Sequence, residues 1–367
     1  MSRLLQPRLG RLIKNAPAGF PLYTSRRPRI IAGDIWEFLR HECGSKLPAE
    51  KTKMAFSFIE QAYDFYEATK NPRIGSKSLL YYYSFLNLVK AFLLVKKIKI
   101  PNVLRHGISD PKANVRLKLT LSTQVVSCDG CAQDHSKLFP EFLKVLNTNV
   151  QHRTHKLKEL LQQVPGIHRS YCEITRSRPS FLPIKSIDVL KTKQSQIFIR
   201  LKFSSNDKDV DATLPIVRKR RAFKTLFTQV SAQRRRNGRI IPIMNEKWYQ
   251  SKLYDGKKRK VNTGYQDISK AMCKIGLWNI LTRDGQRFYF SSISPANIMP
   301  SLGSIYAIMF YLGSITRYKP YDFDKIFKGK YAWLVAEFFK TQPMQFIYGL
   351  AGQMANVEVA PTLVISE

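Results

Sequence analysis

Acidic residues are scarce: 26 Asp and Glu stand against 61 Lys and Arg in 367 residues, a formal net charge of +35. A compact chain this basic repels itself, so its partner is expected to be a polyanion, either nucleic acid or an anionic membrane surface. Cysteine is sparse as well. The five cysteines, an odd number spread from Cys43 to Cys273, make no disulfide framework and fit a reducing cytoplasm. The usual catalytic signatures are missing: there is no Gly-rich phosphate loop, no GxSxG, no HExxH and no acidic cluster suited to two-metal chemistry. A lone DxD, Asp322 and Asp324, reads as a solvated loop, and no cofactor is implied. Long apolar runs are also lacking. The longest uncharged stretch, 288–316, contains Pro295 and Pro300, and its apolar core covers only 305–315. That is short of the ~20 apolar residues of a bilayer span, so it reads as a buried helix behind a loop. Residues 1–29 carry seven basic residues, four prolines and no acid, with no apolar signal core; they read as an extended basic arm.

Apolar residues, 44% of the chain with 12% aromatic, suffice for a packed core, so the positive charge sits on a folded body. Asp34 is an N-cap candidate for a turn beginning at Ile35. Ala55, Phe58, Ile59, Ala62, Tyr63 and Tyr66 recur at helical spacing and give one buried face. Residues 78–95 are apolar on most sides, interrupted mainly by Asn87 and Lys90, which predicts a central helix touched by several neighbours. Two-residue alternation marks strands at Val115, Leu117, Leu119 and Leu121 and again at Ile197, Ile199, Leu201 and Phe203. Helices are expected at 139–146, 153–163, 268–278 and 331–339, and a strand at 287–290. The reading is a mainly α-helical α+β protein in which helices 78–95 and 301–316 share one core. Its parts are a basic arm at 1–33, a helical region at 34–112, a mixed α/β insertion at 113–213, a basic segment at 214–261 and a helical region at 262–367 that completes the core.

The basic segment is the strongest functional signal. It holds fifteen lysines and arginines against two acids. They cluster as Arg218-Lys219-Arg220-Arg221, as Arg234-Arg235-Arg236 with Arg239, and as Lys257-Lys258-Arg259-Lys260. Such residues neutralise phosphates and release condensed counterions, and interleaved aromatics, here Trp248 and Tyr249, can stack on unpaired bases. The runs lack an adjacent helix with a large exposed apolar face, so nucleic acid, DNA or RNA, is preferred over a membrane. Other protein subunits are further partners, and a basic scaffold for an acidic protein is the competing interpretation. Cys128 and Cys131 with His135 have metal-knuckle spacing, but a structural zinc needs four ligands and the second pair is missing; a tight Asp-Gly turn explains the pattern equally.

Several motifs fall in a familiar order: Asp34-Ile35-Trp36, the Tyr-rich 58–66 helix, Tyr81-Tyr82-Tyr83-Ser84-Phe85-Leu86-Asn87, His106-Gly107-Ile108-Ser109, and Leu312-Gly313-Ser314-Ile315-Thr316-Arg317-Tyr318. In these the chain resembles the YaaC-like family of bacterial proteins, and its Tyr-Tyr helix with a trailing His-Gly is similar to the core of HEPN-type helical domains. The first resemblance implies a mostly helical fold without a settled activity. The second implies RNA-directed or bacterial defence roles and nominates His106 and Arg317, with Tyr318, as a metal-independent ribonuclease site. The usual HEPN spacing of Arg and His on one helix is absent, since Arg105 and His106 are adjacent and no histidine follows Arg317. The favoured reading is therefore a non-catalytic nucleic-acid-binding protein, a subunit of a bacterial assembly.

Overall fold

A computed structural model describes residues 5–16, 30–70, 74–98, 100, 106–108, 124–127, 137–146, 154–237, 239–255, 267–268, 271–272, 275–282, 285–293 and 299–362. The chain divides into two compact units. One comprises Ile30–Arg178, Met299–Ala355 and Val359–Glu367; the other comprises Met1–Arg29, Pro179–Ile298 and Asn356–Glu358.

The first unit is helical. Asp34 starts it as the sequence requires: its carboxylate accepts from the backbone N–H of Trp36 at 2.8 Å and of Glu37 at 3.1 Å, capping the Ile35–Lys46 helix. The Ala49–Glu67 helix buries Ala55, Ile59 and Ala62, one stripe of the expected period. The Ile74–Val95 helix is central. Phe85 stacks on Phe346 of the Ala332–Ala355 helix at 4.1 Å, and Phe92 meets Phe142 of the Leu138–Val145 helix edge-on at 5.8 Å. By length and composition the Gly75–Val95 stretch could cross a membrane, yet most of it is buried inside the unit. The Ser301–Tyr318 helix packs directly against it. Gly313 permits the close approach, since a Cβ there would lie 3.3 Å from Tyr82 Cβ and 3.4 Å from the Ser78 carbonyl oxygen. Ser78 and Thr316 share a hydroxyl hydrogen bond of 2.5 Å across the same contact. The two apolar helices thus form one core despite their separation in sequence. A parallel pair of strands, Ile30–Ala32 and Val359–Pro361, ties the two ends of the unit together.

The second unit is built on an antiparallel sheet with strand order Arg11–Ala16, Ser186–Lys191, Gln196–Ser204, Glu246–Ser251, Phe227–Val230. Alternation along Gln196–Ser204 sends Ile197, Ile199, Leu201 and Phe203 into a core with Val189 and Tyr249, covered by Val210, Leu214 and Val217 of the Lys208–Lys219 helix. Phe181–Ile184 joins the hairpin of Leu277–Thr282 and Gly285–Ser291 in a smaller sheet. Gln233–Arg236 and Arg239–Pro242 form a separate two-stranded hairpin.

Five expectations are corrected. The basic arm is not free along 5–16: Leu5 bridges Val230 at one edge of the sheet, Gly10 lies flat against Leu190 and Phe198, and Arg11–Ala16 pairs at the other edge. The proposed 113–213 insertion divides at Arg178, its first part in the helical unit and its second in the sheet unit, and 262–298 likewise falls with the sheet. Along 214–230 and 246–251 the basic segment is not a separate projection. Leu214, Val217, Phe223, Phe227 and Tyr249, interleaved with its cations, are core residues that fold it into the sheet unit. Leu277 and Trp278, expected to end the 268–278 helix, instead open the Leu277–Thr282 strand, which pairs with Gly285–Ser291. Asp322 and Asp324, read as a loop, lie in the Pro320–Lys328 helix. The strand expected around 115–121 lies outside the described residues.

Candidate nucleic-acid interface

The cations of the basic segment have several fates. Arg218 and Lys219 are exposed in the last turn of the Lys208–Lys219 helix, where they also complement its negative end. Arg220 instead turns inward. Its guanidinium donates to the Ser291 carbonyl at 2.7 Å and the Ile293 carbonyl at 2.6 Å, so it braces the sheet and is unavailable as a phosphate contact. Arg221 and Lys224 are exposed on the short Arg221–Leu226 helix, whose Phe223 points into the core. Arg234 and Arg239 are exposed on the two strands of the hairpin, where Arg236 pairs in register with Arg239 and Arg235 with Ile240. Ile240 and Met244 beside them are 61% and 83% exposed. Lys257, Lys258, Arg259 and Lys260 lie outside the described residues.

Three carboxylates of this unit are already engaged. Glu246 pairs with Lys185 at 2.7 Å, Asp188 with Lys202 at 2.7 Å and Asp211 with Lys247 at 3.0 Å. Burial pushes the Glu246 carboxyl up, but hydrogen bonds from Lys185 and Trp248, with the Lys202 charge, outweigh it and hold the group below its usual range. Among the described residues no ion pair joins Lys219, Arg221, Lys224, Arg234 or Arg239 to an acid.

The two aromatics expected to stack on bases are enclosed instead. Trp248 is 5% exposed and Tyr249 is 4% exposed. Tyr249 packs edge-on against Phe203 and Phe223. Trp248 faces the other side of the strand, under the Arg200 guanidinium at 4.9 Å and the Lys202 ammonium at 5.2 Å from its ring. Both faces of this strand are covered, so its sequence shows no alternation that could have revealed the burial.

The helical unit brings together two residues nominated separately. Tyr82 Oη and His106 Nδ1 are 2.8 Å apart, and Arg317 donates to the hydroxyl of the next residue, Tyr83, at 3.3 Å. His106 is held below the ordinary histidine pKa, first by burial and then by the charges of Lys90 and Arg317. Burial, only partly opposed by Tyr306, raises the Tyr82 phenol, so it stays protonated at neutral pH. Tyr318 is 67% exposed and lies under the Arg317 guanidinium, away from the histidine bond. Lys90 was missed as a member of this group; a lysine interrupting the apolar 78–95 stretch was the available signal. Cys128, Cys131 and His135 lie outside the described residues, and among the described ones no three His, Cys, Asp or Glu side chains are placed to hold a metal.

A helical unit with an aromatic core and a sheet unit with exposed cations define the class: a mainly helical α+β protein. The chain belongs to the YaaC-like protein family, which matches residues 24–354. No curated protein and no solved structure matches it.

Proposed function

We propose that this protein binds DNA or RNA without cutting it, as a cytoplasmic subunit of a bacterial assembly, in a defence setting. The observation that carries the reading is the charge balance of the sheet unit: Lys219, Arg221, Lys224, Arg234 and Arg239 stay exposed while the nearby Glu246, Asp188 and Asp211 are already paired with lysines. Surplus cations of this kind attract phosphates and gain affinity by releasing counterions. With the aromatics buried, stacking adds little and the phosphate backbone dominates, so sequence preference is weak.

The test is fluorescence anisotropy with labelled single- and double-stranded DNA and RNA. Neutralising Arg221, Lys224, Arg234 and Arg239 together to Gln should weaken binding about 100-fold or more, since each phosphate contact contributes separately. The melting temperature should hardly move, because exposed substitutions are usually within about 0.5 kcal/mol of neutral. Unchanged affinity in a folded variant overturns the reading. The basic-scaffold alternative predicts instead an acidic protein that stays bound through nuclease treatment. A ribonuclease reading has one observation on its side, the approach of His106 and Arg317 to adjacent tyrosines. It requires cleavage of RNA that is lost in His106→Ala.

A further inference from the structure

Tyr83, Asn87 and Lys90 of the Ile74–Val95 helix are spaced four and three residues apart and therefore lie in one stripe. Asn87 is 3% exposed and accepts from the Lys90 ammonium at 3.2 Å; the ammonium also lies 5.1 Å from the centre of the Phe58 ring. Its company is thus an amide and an aromatic face. Burial lowers the Lys90 pKa and no carboxylate acts against that shift. A half-buried ammonium normally has an anion to offset its desolvation.

Arg317 reaches this face at Tyr83, and His106 lies beside it on Tyr82. Arg317, exposed at the end of the Ser301–Tyr318 helix, bonds Tyr83 and sends its charge toward His106. His106 is fixed through Nδ1 by Tyr82, which leaves Nε2 as the ring's other polar atom. The chain can hold the histidine there because Gly107 follows at φ +67°, close against Lys137 and Pro140, and because the Phe139 N–H donates to the His106 carbonyl at 3.0 Å. Tyr82, Tyr83 and Tyr306 are the titratable phenols packed beside it. Among the described residues, no carboxylate is paired with Lys90, His106 or Arg317. Two fixed cations and a histidine that they repel form an electrostatic setting that an anion would relieve.

We propose that this niche binds a phosphate group, with Lys90 and Arg317 as its charge partners and His106 Nε2 and the Tyr83 hydroxyl as hydrogen-bonding groups. A phosphate presents more acceptor oxygens than a carboxylate, and as a dianion it matches two separate cations where one carboxylate matches one. The niche lies within the helical unit and does not depend on the cations of the sheet unit, so either idea can fail alone.

The experiment follows the His106 imidazole by NMR in the full-length protein, assigned with His106→Gln, at fixed ionic strength. Three additives are compared: sodium chloride, inorganic phosphate and adenosine 5′-monophosphate. Inorganic phosphate should raise the His106 pKa by about one unit or more, saturably, because a bound dianion favours the imidazolium. Chloride should leave it within a few tenths. Tighter binding of the monophosphate ester identifies a phosphorylated small molecule as the ligand class; equal binding assigns recognition to the phosphate alone. Lys90→Met, which keeps the apolar stem, and Arg317→Gln, at an exposed position, should each raise the His106 pKa in chloride. Each should also weaken phosphate binding at least tenfold. The proposal is overturned if neither phosphate species shifts His106 saturably, or if both variants bind phosphate as the native chain does. Since Arg317 is exposed, its variant remains informative should Lys90→Met fail to fold.

Discussion

His168 is the residue whose environment most clearly writes a pH dependence into this chain. Burial first, then the Arg169 charge, pull its pKa from 6.5 to about 4, opposed by a hydrogen bond with the Gln162 backbone. The folded state therefore holds it neutral while the unfolded chain protonates it near 6.5. Below that value the unfolded state takes up more protons, so stability falls as pH drops and the loss is complete below about 4. Urea titrations should show about 2 kcal/mol lost between roughly pH 7.5 and 5 that a folded His168→Gln variant does not lose. An identical pH profile in the variant would remove His168 from the account. Residue-scale reading of the sequence succeeded where a side chain acts locally, as with Asp34 and its cap. It failed for Trp248 and Tyr249, because adjacency to cations looks the same in a stacking platform and in a strand whose two faces are covered.

At the scale of elements, the 5–16 strap is the least expected feature. The Arg8 N–H donates to Gln250 Oε1 at 2.8 Å, its guanidinium to the Ser251 carbonyl at 2.9 Å, and its own carbonyl accepts from Arg200 at 2.8 Å. Three chain-distant groups are satisfied by one residue. Arg8→Ala removes only the guanidinium bond and should cost about 1 kcal/mol. Deleting 1–10 also leaves the 5%-exposed Gln250 amide without its partner, which should bring the loss to about 2–4 kcal/mol in denaturant melts. A deletion that melts like the native chain would show that the strap is dispensable. The helices were legible because each carries its own 3.6-residue period; so was Gln196–Ser204, whose alternation is intact. The strap was not, since Pro7 and Gly10 interrupt it, it shows no two-residue alternation, and it owes its place to strands more than 170 residues away.

For the whole molecule, charge was read correctly in amount and misread in arrangement. The runs looked like a separate projecting segment, but periodic apolar positions inside them fold with the sheet, and paired acids set aside part of the positive charge. What remains exposed predicts the salt response. If about 6–10 phosphates are contacted, affinity should drop by about 10³–10⁵ between roughly 50 and 200 mM salt. A titration flat over that range sinks the nucleic-acid reading.

The pairing of distant ends has a further result for biogenesis. Leu5 waits for Val230 and Ser231, Arg8 for Gln250 and Ser251, and Ile30 for Val359. As the chain leaves the ribosome, its first segments are made long before the strands that receive them, so neither unit can close until most of the polypeptide has been translated. Maturation is then a late, slow event dominated by long-range closure, and a message cut short near its end would yield a product whose Ile30–Ala32 strand has no partner to join.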